Sequence, residues 1–253
     1  VIEAVFLDLF ETLVTLFDPD WRPRPSAGER LGVDPRAFDE EWQARRPLRF
    51  AGAFPDYREA LRDICRSLRH TPDETVIEQL YEERLAVLEN ACTQTSDEVM
   101  VALEGLDSLG IRLGVVSNSV PELVASWPRS PVQRFVHDVV FSHEVGCAKP
   151  QSEIYLLACR RLGVTPEQSI FVGDGDNDEL AGAGRLGMRP YWATWFLDLW
   201  PVDARVESIS ERSMRYPRLR TPADLVRAVR MDHLPVRKVA PDSRDCADRR
   251  GHG

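Results

Sequence analysis

The stretch Val5–Val14, VFLDLFETLV, decides how the chain is read. Together with Ala4 its first half forms a short apolar run, AVFLDL over residues 4–9, bounded by polar residues. A run of that length and composition suits a buried strand. It carries one acid, Asp8, near its end, and Phe10 follows two places later. An acid at the end of a buried strand points toward chemistry, and an aromatic ring so close to it needs an explanation.

Downstream of this strand the pattern is helical. DPRAF places Asp34 as N-cap and Pro35 at the first helical position. PDYREALRDICRSLR puts Tyr57, Ala60, Leu61, Ile64, Cys65 and Leu68 on one face. A third helix opens on Thr71, Pro72 and Glu74, read as a capping box, and carries Ile77, Leu80, Tyr81 and Leu88. Residues 16–92 therefore read as all-helical. The period then changes. A helix from Ser96 to Gly110 leads into the strand IRLGVVSNS, the short strand DVVFS, the helix SEIYLLACRRLG, the strand SIFVGDGDND, the helix ELAGAGRLGM and the strand RPYWAT. Alternating strands and helices specify βαβ units and a parallel sheet. TPADLVRAV reads as a final capped helix; residues 196–220 carry no clear pattern, and residues 232–253, rich in Arg and Asp, read as disordered. The expected architecture is an α/β, Rossmann-like doubly wound parallel sheet over residues 1–15 and 93–231, with an all-helical unit inserted at 16–92.

Composition narrows the function classes. A chain of 253 residues buries a large core, and a formal net charge of −9 argues against a nucleic-acid partner. No apolar run approaches the span of a bilayer, so no membrane association and a cytoplasmic location are expected. The cysteines Cys65, Cys92, Cys147, Cys159 and Cys246 lack metal-site spacing and read as reduced thiols. Lysine is scarce: only Lys149 and Lys238 occur among 32 basic residues, which suggests an arginine-biased, bacterial coding preference. Against that bias Lys149 marks a place where a compact ammonium is wanted.

In a doubly wound sheet ligands bind at the carboxyl ends of the strands. Asp8, Ser117, Asn118, Lys149, Asp174, Asp176 and Asp178 all fall at or beyond such ends. Asp174, Asp176, Asp178 and Glu179 lie within six residues, and Asp8 is expected close by. Crowded carboxylates protonate or bind a cation, and oxygen donors without His or Cys suit Mg²⁺. Lys149 and the Ser117 hydroxyl would then hold the oxygens of a substrate phosphate, while Gly173 and Gly175 let the loop backbone approach. Each piece alone is ordinary turn or loop material. Their order, one at each strand end, makes a site.

The four segments FLDLFETL, VVSNS, GCAKPQSEIY and FVGDGDNDELAGAGRLGM resemble, in that order, the motifs of the haloacid dehalogenase-like hydrolases. The resemblance covers residues 4–195 and implies that the helical insertion is a substrate-selecting cap. It implies that Asp8 attacks phosphorus to form an aspartyl-phosphate, that Mg²⁺ is held by Asp8, the Phe10 carbonyl, Asp174 and Asp178, with Glu179 as the alternative second acid, and that Thr12 keeps the Asp8 loop in shape. Ser117, the Asn118 amide and Lys149 would stabilise the phosphoryl oxygens. The implied substrate is a small phosphate ester.

Phe10 departs from the phosphatase pattern, in which an Asp at that place serves as acid and base. Family dehalogenases carry an aromatic there, so a 2-haloacid dehalogenase working through an aspartyl ester is the rival reading. It ranks second because so many acids would repel a carboxylate substrate. A catalytically weak binding protein is the third reading. A proton for the leaving oxygen would have to come from water, substrate, Glu11 or the cap. Arg45, Arg46, Arg49 and Tyr57 are the cap candidates for substrate contact, and Trp192 and Trp195 read as packing.

Overall fold

The computed structural model describes residues 1–18, 24–200 and 213–233. Six strands form one all-parallel sheet: β1 (Ala4–Leu7), β2 (Arg112–Ser117), β3 (Asp138–Phe141), β4 (Ser169–Gly173), β5 (Arg189–Ala193) and β6 (Arg218–Leu219). Their spatial order is β3-β2-β1-β4-β5-β6. β1 is central, with Val5 in register with Leu113 on one side and Ile170 on the other. Chain order runs outward through β2 and β3 and then returns to β4 beside β1. That reversal opens a crevice at the carboxyl ends of β1 and β4, where ligands of such sheets bind.

The sheet is covered on both faces. Val5 and Leu7 point into one core with Leu103 and Leu106 of α6 (Asp97–Asp107) and Leu225 and Val229 of α11 (Pro222–His233). Ala4 and Phe6 point into the other with Ile154, Tyr155 and Ala158 of α9 (Ser152–Leu162) and Leu180 and Ala183 of α10 (Glu179–Arg185). All four residues of β1 are buried, which is why the run reads as apolar without alternation.

Among the described residues between β1 and α6 lie five helices: α1 (Ala27–Leu31), α2 (Pro35–Ala44), α3 (Arg46–Phe50), α4 (Tyr57–Ser67) and α5 (Glu74–Thr93). All but α3 share a hydrophobic cluster of their own, with Leu31, Phe38, Leu61, Ile64, Ile77 and Leu80 at its centre, while Phe50 of α3 packs against Leu88, Val120 and Leu123. Asp34 caps α2 as expected, its carboxylate accepting from the Ala37 N–H at 2.9 Å. The expected capping box on Thr71 is not formed. Asp73 caps α5 instead, accepting from the Thr75 N–H at 2.8 Å, because an aspartate two residues later satisfies a free amide just as well. β6 and the short helices α7 (Pro121–Ser126) and α8 (Ser142–Val145) complete the described fold. Residues 234–253, most of the segment expected to be disordered, lie outside the described residues. Among the described residues no helix is long and apolar enough to cross a membrane.

Candidate active site

Asp8 follows β1, and its backbone N–H donates to the Val172 carbonyl at 2.8 Å, pinning the residue over β4. β2 ends on buried Ser117. Lys149 arrives from the loop after α8, with its side chain only 2 % exposed. Its ammonium donates to Asp8 and, at 2.5 Å, to Glu179. Asn118 fixes that loop: its side-chain oxygen accepts from the Lys149 N–H at 2.7 Å and its amide nitrogen donates to the Lys149 carbonyl at 2.9 Å. The sequence assigned Asn118 a backbone role. The structure adds a side-chain role, gripping the Lys149 peptide.

Three carboxylates meet beside the ammonium. Ligand oxygens of Asp8, Asp174 and Glu179 lie within 4.8 Å of one another. Asp178 is not in this group. Asn177 and Asp178 both adopt left-handed backbone, at φ 55° and 53°, and this turns the chain so that Glu179, the first residue of α10, faces inward. Glu179 is 1 % exposed and also accepts from the Gly175 N–H at 3.1 Å. Burial, followed by the charges of Glu179 and Asp8, pushes the Asp174 carboxyl well above its ordinary range. Burial raises Glu179 to about 7 against the pull of Lys149. Burial by itself would lower Lys149, but the charges of Asp8 and Glu179 win and hold it raised. One ammonium therefore does not neutralise three acids, two of them buried and Asp174 half-buried. Acids raised by burial and then by one another's charge, offering only oxygen, fit a hard divalent cation.

Gly173 makes this packing possible, because a Cβ there would strike the Glu179 carboxylate. Gly173→Ala is expected to cost about 1–3 kcal/mol in urea unfolding, since Glu179 has no solvent to move into.

The loop after β1 is organised by Glu11, whose place in the scaffold the sequence did not reveal. At φ 54° it turns the chain, and its carboxylate accepts from Thr15 Oγ1 at 2.7 Å, the Leu16 N–H at 2.9 Å and Trp200 Nε1 at 3.0 Å. The available signal was an acid four residues before a threonine in a turn. The Thr12 hydroxyl is buried and makes no hydrogen bond among the described residues; its carbonyl accepts from Trp195 Nε1 at 3.0 Å. Trp192 likewise donates to the Asp174 carbonyl at 2.8 Å, so both tryptophans fix site loops as well as pack. Phe10 packs beside Leu88, Val120, Leu123 and Phe50.

Phe10, Asp8, Ser117 and Lys149 line a cavity of about 390 Å³ whose far wall carries Trp42, Arg46, Arg49, Phe50 and Arg84. Arg46 pairs with Asp176 across the cavity. Arg45 does not line it and is held by Glu41 and, at 2.7 Å, by Asp63. Tyr57 lies edge-on to Trp42, with ring centroids 5.4 Å apart.

A model of the haloacid dehalogenase-like hydrolases matches residues 2–184. A glyceraldehyde 3-phosphate phosphatase of Methanopyrus kandleri is 38 % identical over 94 residues, 36 % of this chain and 40 % of that protein. A phosphoglycolate phosphatase of Salmonella typhi is 30 % identical over 118 residues, 45 % of this chain and 47 % of that protein. The chain thus spans less than half the length of these curated relatives. Among solved structures, an L-2-haloacid dehalogenase from Xanthobacter autotrophicus superposes with TM-score 0.59 at 18 % identity, covering 91 % of this chain and 99 % of that one. A phosphatase from Thermococcus onnurineus superposes with TM-score 0.52 at 18 % identity, covering 90 % and 98 %. These likenesses establish the fold, which both activities share.

Proposed function

The chain belongs to the haloacid dehalogenase-like hydrolases, and from that membership we propose that it is a Mg²⁺-dependent phosphatase acting on a small phosphate ester through Asp8. The observation that carries this reading is the contact of Asp8 with Lys149 inside a group of three carboxylates at the sheet's switch point. Dehalogenation needs no such excess of acids, which would repel a carboxylate substrate.

In the proposed reaction an Asp8 carboxylate oxygen attacks phosphorus as the bond to the leaving oxygen breaks, and water then cleaves the acyl phosphate and restores the carboxylate. Mg²⁺ held by Asp8, Asp174 and Glu179, with Asp178 and the Phe10 carbonyl as further candidates from the family pattern, would supply charge stabilisation at the phosphoryl oxygens. Lys149 keeps its proton throughout and offsets the charge that spreads over those oxygens. Ser117 at the end of β2, with the Asn118 backbone N–H, would receive another phosphoryl oxygen. Thr12 contributes through its backbone, and Glu11 holds the loop; both Glu11 oxygens already serve that loop.

Phe10 supplies no proton. A positioned acid is worth roughly 10²–10⁴-fold in a proton-transfer step, so the leaving oxygen departs with its charge or takes a proton from water. The test is kcat/KM over phosphate monoesters of similar size and graded leaving-group pKa, with Mg²⁺ or EDTA, beside 2-haloacids. Expected is Mg²⁺-dependent turnover that falls steeply as the leaving group grows more basic. A second reading, dehalogenation through an ester at Asp8, draws on the apolar wall that Phe10 forms with Leu88 and Leu123. Halide release in EDTA would establish it in place of the first. No turnover of either class would leave a binding protein.

A further inference from the structure

The far wall of the cavity carries more positive charge than its surroundings answer. Arg49 is 7 % exposed, and its guanidinium lies 3.4 Å from the Trp42 ring centroid. One nitrogen donates to the Trp42 carbonyl at 3.2 Å, while Nε is buried without a hydrogen-bond partner. Among the described residues no carboxylate forms an ion pair with it. Burial, and then the neighbouring charges of Arg84 and Arg46, pull it down to about 10. Arg84 lies over the Tyr57 ring at 4.7 Å, and its Nε is also buried without a hydrogen bond. Among the described residues the carboxylate that pairs with it is Glu122, at 4.0 Å, at the edge of ion-pair range. Arg46 is already matched by Asp176.

Buried charges are normally paired, because an unpaired one forfeits its hydration. Arg49 is buried and Arg84 half-buried, Glu122 reaches only Arg84 and only at 4.0 Å, and both guanidiniums line the cavity that ends on Asp8 and Lys149. Their missing counter-charge has to come from what enters that cavity. Trp42 and Tyr57 hold the guanidiniums from their ring faces, which leaves the edges with their N–H donors for an anion.

We propose that Arg49 and Arg84 receive a second anionic group of the substrate, a carboxylate or a phosphate, while its phosphoryl group lies at Asp8 and Lys149. The substrate class is then a small phosphate monoester that carries a second anionic group at its far end. This inference rests on the phosphatase reading and sharpens it.

Non-hydrolysable ligands test it apart from turnover. Calorimetry with Mg²⁺ present would compare ω-phosphonocarboxylates and α,ω-bisphosphonates of graded chain length with alkylphosphonates of the same lengths. At the length that fits the cavity, the ligands with two anionic groups are expected to bind roughly 10–100-fold tighter, the scale of hydrogen bonds to a charged group. Which of these two series gains more distinguishes carboxylate from phosphate. Arg49→Gln and Arg84→Gln should each remove most of the gain and leave alkylphosphonate binding unchanged. Arg49→Lys, which keeps the charge but not the fork, should retain part of it. Arg45→Gln, outside the cavity, should change neither series. Equal affinity of the series with two anionic groups and the series with one, at every length in the wild-type protein, would overturn the inference while leaving the phosphatase reading intact. If no phosphonate of any series binds, the phosphatase reading fails and the inference fails with it.

Discussion

Asp8→Asn is expected to lower turnover of phosphate esters by roughly 10⁴–10⁶-fold, the loss typical of removing a nucleophile from a preorganised site. The change is close to isosteric, so the comparison is chemical. An amide cannot attack phosphorus at neutral pH. The fold should survive, because the Lys149 ammonium keeps Glu179 as a partner at 2.5 Å. Losing the Asp8 charge also relieves Asp174, whose proton affinity that charge helps to raise. In metal-free buffer the variant's unfolding midpoint should therefore be no lower than wild type. Steady-state kinetics and a urea titration on the same preparation check both parts. A variant retaining more than about one per cent of turnover would place the nucleophile elsewhere, since the effect expected is orders of magnitude larger.

The residues legible in the sequence share one property: each ends a strand whose burial pattern is itself legible. Asp8, Ser117 and Asp174 sit where apolar runs stop, so the parallel topology alone brings them together. The choice between Asp178 and Glu179 was not legible, because it depends on two consecutive left-handed residues in a polar loop. Neither Asn177 nor Asp178 signals that turn uniquely. β6 escaped for a different reason. It has two residues, too few for any period, and is recruited by backbone bonds such as Thr194 N–H to the Leu219 carbonyl at 3.0 Å. Arg49 was singled out in the sequence as a candidate for substrate contact, but its neighbour Arg84 escaped, because the two belong to separate helices, α3 and α5. Basic residues on helices usually face water, and only tertiary packing shows that Arg49 does not. Phe10 was legible as a departure from a pattern, and the structure supplies its surroundings, an apolar wall shared with α5 and α7.

Lys149 is the residue whose replacement separates charge from shape. Its ammonium lies between Asp8 and Glu179, about 5.5 Å from the Phe171 ring centroid, with the side chain only 2 % exposed where it borders the cavity. The backbone that delivers it cannot retreat, because Asn118 grips both the N–H and the carbonyl of the residue. Lys149→Arg keeps the charge, but the guanidinium is planar and wider and needs donors aimed in a fork. It must push one carboxylate aside. Overpacking of this kind costs about 1–3 kcal/mol, and turnover is expected to fall by roughly 10²–10³-fold, as when a preorganised donor to a developing oxyanion is lost. Lys149→Met makes the complementary change, keeping the stem and deleting the charge. Buried Asp8 and Glu179 then face half-buried Asp174 with no cation, and breaking a buried pair in this way costs about 3–5 kcal/mol. Added Mg²⁺ should restore much of that stability, because it replaces the missing positive charge among the same oxygens. It should not restore turnover, because the ammonium's place beside the phosphoryl group stays empty. Urea unfolding of both variants with and without Mg²⁺, run beside kcat measurements, reads the two effects separately. Near wild-type turnover in Lys149→Arg would mean that the site needs only a positive charge and not a compact one, and the scarcity of lysine elsewhere in the chain would then carry no information about this position.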